Sequence, residues 1–248
     1  TCSTDDKSAA EAYSNFMETI PPKIKPLAFE LDKKVVALAA ALKPDERRFG
    51  VMIRDLKADV DLFRPENVEI ETALDKLSQE YETIAGAQTV VFRGEEKTLP
   101  QMAVYQENTD RAMREEAWRL VADRRLKDKD AIDGVYDAMI AKRHALAKNA
   151  GFKDYVGYAF KAKHRFDYSV AHCEAFHRAC EQVLTPMIHR LEAKRKASLK
   201  LDELRPWDLA VDVKGRAPLR PFEGGRALMQ KAIATFDRLD PRLGTMLR

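Results

Sequence analysis

Through most of this chain apolar residues recur every three to four positions, the spacing that gathers them on one face of an α-helix. The clearest run is Ile132, Val135, Tyr136, Met139, Ile140, Leu146 and Ala147, which predicts one long amphipathic helix closed by Ala150-Gly151. Upstream, Ser8-Ala9-Ala10-Glu11 fits a capping box that opens a first helix, and Pro21-Pro22 ends it. A second helix is predicted from about Lys23 to Leu42, a third from the Pro44-Asp45-Glu46 turn through Arg54, and a fourth from Glu71 to Ala85. Arg64-Pro65-Glu66-Asn67 reads as the turn between the last two. Farther on, Ser169 is placed to cap a helix with the stripe Cys173, Phe176, His177, Cys180 and Leu184, which Thr185-Pro186 either kinks or replaces with a new one.

One run is β-rich. Thr89-Val90-Val91-Phe92, then Arg93-Gly94-Glu95-Glu96, then Lys97-Thr98-Leu99 read as strand, glycine turn and return, a hairpin over about 89–99. Thr98-Leu99-Pro100-Gln101 has capping-box chemistry, so a helix is expected to follow. From Leu201 to Phe222 the periodicity gives way to Pro206, Gly215, Pro218 and Pro221, with the short alternation Leu209-Ala210-Val211-Asp212-Val213. That composition predicts an extended loop with room for one strand. Helical character resumes at Gly225 and reaches Phe236, and Asp240-Pro241 starts one more helix. The fold class is therefore mainly α with one short hairpin, and residues 1–248 read as a single helical region.

The 248 residues, 45% hydrophobic and 33% charged, suffice for one sizeable core or two modest ones. Because 43 Lys and Arg nearly cancel 40 Asp and Glu and are interleaved with them, no face is a phosphate-binding stripe and nucleic acid is not an expected partner. The basic runs Arg124-Arg125-Leu126-Lys127 and Lys194-Arg195-Lys196 have acidic neighbours and read as solvated helix faces. No apolar run approaches the ~18 residues of a membrane span, so no membrane partner is expected either. Cys2, Cys173 and Cys180 do not make a disulfide framework, since the latter two would lie about 10 Å apart on one helix. A reducing, cytoplasmic setting is expected. The opening Thr1-Cys2-Ser3-Thr4-Asp5-Asp6 reads as an internal start, that of a fragment or trimmed product.

Candidate chemistry is sparse. His144, His164, His172, His177 and His189 are the strong nitrogen ligands, and the most suggestive cluster is His172-Cys173-Glu174-Ala175-Phe176-His177. On a helix His172 and His177 point about 140° apart and cannot chelate one ion together. Glu174 and His177 form an i, i+3 pair with no second Glu-x-x-His, so a surface pair is the simpler reading. Cys173 and Cys180 sit on an apolar stripe and read as small core hydrophobes. No catalytic residue and no metal ligand is assigned. Two corners stand out as structural or ligand-contacting: Arg165 with Asp167 and Tyr168, and Arg205-Pro206-Trp207-Asp208, where Pro fixes a turn, Trp fills a core, and Asp caps amides or pairs with Arg.

Taken in order, Asp110-Arg111, Arg114-Glu115-Glu116-Ala117-Trp118, Ala150-Gly151-Phe152, Arg165-Phe166-Asp167-Tyr168 and Leu204-Arg205-Pro206-Trp207-Asp208-Leu209 resemble the oligoendopeptidase F family of zinc metallopeptidases. The likeness is to the part that precedes the zinc-binding helix in this thimet-oligopeptidase-like group. It implies one helical lobe of an elongated fold that encloses a narrow channel, and hydrolysis of short peptides by a zinc-activated water. Arg165, Asp167, Tyr168, Arg205, Trp207 and Asp208 then become scaffold or channel-wall residues. In that family an H-E-x-x-H helix and a later Glu hold the metal, and this sequence has no H-E-x-x-H. The resemblance therefore implies a chain inactive by itself, with zinc and the catalytic part belonging to the complete protein. The alternative expectation is a non-catalytic helical interaction protein derived from that fold.

Overall fold

In the computed structural model, which describes residues 6–248, helix α1 (Lys7–Thr19) starts from Asp6, whose carboxylate accepts the Ala9 amide at 3.0 Å. The cap is thus Asp6 in place of Ser8, because the carboxylate reaches the same class of orphan amide nearer the start of the chain. Pro21 and Pro22 open α2 (Pro21–Leu42), where a missing N–H costs nothing since first-turn amides lack partners anyway. Asp45 caps α3 (Glu46–Leu62) by accepting the Arg47 and Arg48 amides. This helix continues two turns past Arg54, carried by the buried Ala58 and Leu62.

Helix α4 (Asn67–Gly86) begins a turn before Glu71. The buried Asn67 side chain donates to the Leu146 carbonyl at 3.2 Å and accepts from Asn149 Nδ2 at 2.7 Å, so a tertiary contact fixes that start. Strands β1 (Thr89–Phe92) and β2 (Glu95–Thr98) pair antiparallel with Phe92 opposite Glu95. The turn is only Arg93-Gly94, shorter than the sequence suggests, and both residues have positive φ, +54° and +85°. Along β1, Val90 and Phe92 are buried and Val91 is exposed.

Next come a short α5 (Leu99–Met102), a 3₁₀ turn (Ala103–Glu107), α6 (Arg111–Lys127) and α7 (Lys129–Asn149). Helix α8 (Tyr155–Ala162) is capped by Asp154, and α9 (Val170–Ala179) runs through a π turn (Cys180–Leu184) into α10 (Thr185–Ser198). That wide turn lies immediately before Pro186, which has no amide to donate. Residues 201–222 hold a 3₁₀ turn (Pro206–Asp208) and no strand. Helices α11 (Gly224–Leu239) and α12 (Pro241–Leu247) complete the chain, the latter capped by Asp240. They pack closely at the buried Gly244, where a Cβ would come within 1.9 Å of Asp237 Oδ1. The fold is mainly helical with one hairpin, as the periodicity predicts.

The chain divides into two compact units, Thr1–Pro100 with Arg119–Arg190, and Gln101–Trp118 with Leu191–Arg248. The core of the first gathers Leu62, Leu146, Ala147, Ala150 and Tyr158, flanked by Ile70, Leu74, Phe152 and Tyr155. The apolar stripe of α7 is divided by this packing. Val135, Met139, Leu146 and Ala147 are buried, whereas Tyr136 and Ile140 are exposed. On α9 Phe176 is exposed, and Cys173 and Cys180 are half-buried instead of core residues, because no element covers that side within the described residues. A stability comparison follows: Leu146→Ala is expected to cost about 2–5 kcal/mol and Tyr136→Ala less than about 0.5 kcal/mol, measured by urea unfolding of the 248-residue chain. Equal losses would show that the two sides of α7 are packed alike.

Candidate functional site

Helical spacing places Arg111 and Arg114 of α6 one turn apart, and Pro206 sets the 3₁₀ turn that carries Trp207 and Asp208. The two pieces meet at the Asp208 carboxylate, which is fully buried. Arg111 donates from Nε to Oδ1 at 2.9 Å and from Nη2 to Oδ2 at 2.8 Å, the two-point fork a planar guanidinium makes with a carboxylate. Arg114 Nη2 donates to Oδ1 at 2.9 Å, and the Arg205 amide donates to Oδ2 at 3.0 Å. The remaining Arg114 donors reach the carbonyls of Trp207, Asn108 and Thr109 at 2.8, 2.9 and 3.2 Å. From α10, Arg195 donates to the carbonyls of Asp208 at 3.2 Å and Val211 at 2.6 Å. Trp207 is 6% exposed, with the Trp118 ring 5.5 Å away and the Arg111 guanidinium 5.9 Å from its centroid.

Electrostatics follow from this geometry. Burial by itself would raise the Asp208 carboxyl, yet hydrogen bonds from Arg111, the Arg205 amide and Arg114 outweigh it and hold the group at about 2. The hydrogen bond to Asp208 in turn raises the Arg111 guanidinium.

Arg165, Asp167 and Tyr168 belong to the first unit and form a different kind of corner. Arg54 Nη1 donates to Asp167 Oδ1 at 3.3 Å, and its guanidinium lies 4.7 Å from the Phe166 ring centroid. Tyr168 packs edge-on against Phe160 at 5.8 Å, and Arg165 lies 5.6 Å from that same ring centroid. The Arg54 contacts clasp the segment after α8 onto α3 and the Phe160 contacts fold it back on α8, and all three residues remain exposed. Of the second group, Arg205 is exposed and ion-paired with Glu203, while Trp207 and Asp208 are inside. Beside the loop an open cleft of about 520 Å³ is lined by Glu107, Arg195, Asp212, Arg216 and residues 217–219.

A zinc ion does not fit the residues present. His164 contacts Asp59 at 2.8 Å and Asp55 at 3.7 Å, His172 Nδ1 accepts the Ser169 amide at 3.1 Å, and His144, His177 and His189 are exposed singly. Among the described residues no group of three or more His, Cys, Asp or Glu is placed to hold a metal. The sequence reading missed Arg111, Arg114 and Arg195 as members of the cluster around Asp208. The i, i+3 pair of arginines beside Trp118 was the visible signal for the first two, and Arg195 gave none because it sits in a basic run.

With the cluster in place, its relatives become informative. Residues 104–222 match the profile of peptidase family M3, a stretch that contains every side chain bound to Asp208. In fold, the chain superposes on PZ peptidase A solved with an inhibitor, at a TM-score of 0.89 and 23% identity over 99% of this chain and 43% of that one. A protein assigned as an oligoendopeptidase F and solved at 3.1 Å gives the same figures. Another assigned so, from Bacillus anthracis str. Ames, gives a TM-score of 0.87 and 19% identity over 98% of this chain and 44% of that one. The resemblance to the oligoendopeptidase F and M3 peptidases thus holds in sequence over 104–222 and in fold over almost the whole chain. The chain spans less than half the length of these solved structures. No curated protein sequence matches it significantly.

Two measurements check the cluster. Trp207→Ala is expected to cost about 3–5 kcal/mol in urea unfolding. Because the folded carboxyl titrates at about 2, below its ordinary 3.8, Asp208 contributes stability that is complete above pH 4 and lost as pH falls toward 2. The loss amounts to about 2 kcal/mol. Asp208→Asn removes that acid-dependent component, so an unchanged acid profile in the variant would show that the carboxylate is not held as described.

Proposed function

We propose that this chain is part of a zinc metallo-oligopeptidase, a helical region of a larger peptidase domain that supplies scaffold and channel wall for hydrolysis of short peptides. The observation that carries the reading is the coincidence of the M3 match with the loop 201–222, which the Arg111–Arg114–Asp208 cluster holds in place. A loop bound that firmly has the rigidity a substrate-lining wall needs. Its neighbouring cleft presents Glu107 and the loop-tethering Arg195 beside the Asp212–Arg216 ion pair, a polar lining compatible with a peptide. In this reading Trp207 and Asp208 are internal struts, and Arg165, Asp167, Tyr168 and Arg205 present side chains at the surface.

The zinc and its ligands belong to the remainder of the protein, since the histidines here do not converge. Nothing in the described residues forms a helix long and apolar enough to cross a membrane, which is compatible with the cytoplasmic setting proposed for the whole.

The test compares two proteins. The purified 248-residue chain is expected neither to retain stoichiometric zinc nor to cleave a fluorogenic oligopeptide. The full gene product that contains it is expected to do both, and to lose both to a chelator. About one zinc per 248-residue chain overturns the first half. A full gene product without H-E-x-x-H, or one inert on short peptides with zinc present, overturns the second and favours the non-catalytic helical interaction protein.

A further inference from the structure

Helix α2 has apolar residues on two sides, and only one is used. Its inner row, Pro22, Lys25, Phe29, Asp32, Val36 and Ala39, is half-buried, with Phe29 stacked on Phe63 at 4.1 Å and Lys25 paired to Glu71 at 2.6 Å. The outer row is Ile24, Leu27, Leu31, Val35, Leu38 and Leu42. At about 100° per residue these fall within an arc of about 80° and extend about 27 Å along the helix. Apart from the half-buried Val35 they are exposed, from 55% at Ile24 to 75% at Leu42. Toward its C-terminal end the row runs into an apolar hollow of about 210 Å³ shared with Phe49, Met52 and Ile53 of α3. A helix that is apolar on both sides is ordinarily covered on both.

Charge narrows the occupant. Lys23 and Lys34 border the outer row, and neither forms an ion pair among the described residues. The nearest acids on this helix are spoken for or turned away: Glu30 pairs with Lys33 at 3.0 Å, and Asp32 lies on the inner row. Parallel, in-register self-pairing of α2 would set Lys34 against its own copy, which disfavours that form of a second copy. We propose that the outer face of α2 docks an amphipathic helix that carries acidic residues beside its apolar row. This inference is independent of the peptidase reading and survives if that reading fails.

The probe is a fluorescein-labelled peptide of three heptads with Leu at a and d and Glu at e and g, beside a twin with Lys at e and g. In anisotropy titrations against the 248-residue chain, the Glu peptide is expected to bind saturably and at least about fivefold tighter than the twin. Lys23→Glu with Lys34→Glu is expected to reverse that preference. Leu31→Asp is expected to abolish binding with unchanged far-ultraviolet circular dichroism and melting temperature, since Leu31 points outward. Absence of saturable binding, equal binding of both peptides, or binding that persists in Leu31→Asp overturns the proposal. Unfolding of Leu31→Asp also overturns it, because the row would then be internal packing. A dimer in sedimentation that Leu31→Asp dissolves would overturn it in favour of a second copy. Co-sedimentation with phosphatidylcholine–phosphatidylserine vesicles that the same variant abolishes would overturn it in favour of a membrane surface.

Discussion

A carboxylate taken wholly out of water must be given other partners, and Asp208 receives them from two arginines and a backbone amide. That requirement organises the second unit. Arg111 and Arg114 can serve Asp208 only if α6 presents the same face throughout its first turn, and the Arg205 amide can do so only if Pro206 bends the chain there. The loop that follows has no strand or helix to satisfy its backbone. Side-chain donors take over that role, with Arg114 and Arg195 covering carbonyls from 207 to 211. Irregular structure is thereby as constrained as a helix would be.

The first unit is held differently. Its core is aliphatic and aromatic, with two buried polar side chains among the described residues: Asn67, which bridges the start of α4 to the end of α7, and Gln88, which donates to Asp128 at 2.9 Å. Such a core defines which faces point inward but leaves the opposite faces free to carry any sequence. On α2 and α7 those outer faces are apolar, an arrangement that water disfavours and a further protein surface would satisfy.

Much of the helical layout could be read from spacing and punctuation, because Asp45, Asp240 and the glycine of the hairpin turn act through neighbours a few residues away. Trp207 was also legible: a large ring after a proline in a polar loop has few places to go except inside. What spacing could not show is distance-spanning chemistry. Arg111 and Arg114 meet Asp208 across more than ninety positions, and their i, i+3 spacing beside Trp118 marks a shared helix face without naming the partner it serves. For the same reason the division of the α7 stripe was hidden, since a periodic row records that a face is apolar and not which half of it a neighbour covers. Asp6 displaced Ser8 as the first cap because two acceptors competed for the same helix start.

The π turn at Cys180–Leu184 bears on how this part of the chain can change. Fitting an extra residue into one turn retards the helix by about 100°, so Phe176 before it and Met187 and Ile188 after it do not continue a single face. Deleting one residue there and restoring the ordinary winding would remove the extra residue and the retardation together, so the residues after the turn would keep their azimuth. The same deletion elsewhere in the helix would rotate all that follows by about 100°. This turn is therefore the place where the length of the segment can change by one residue with least change of phase.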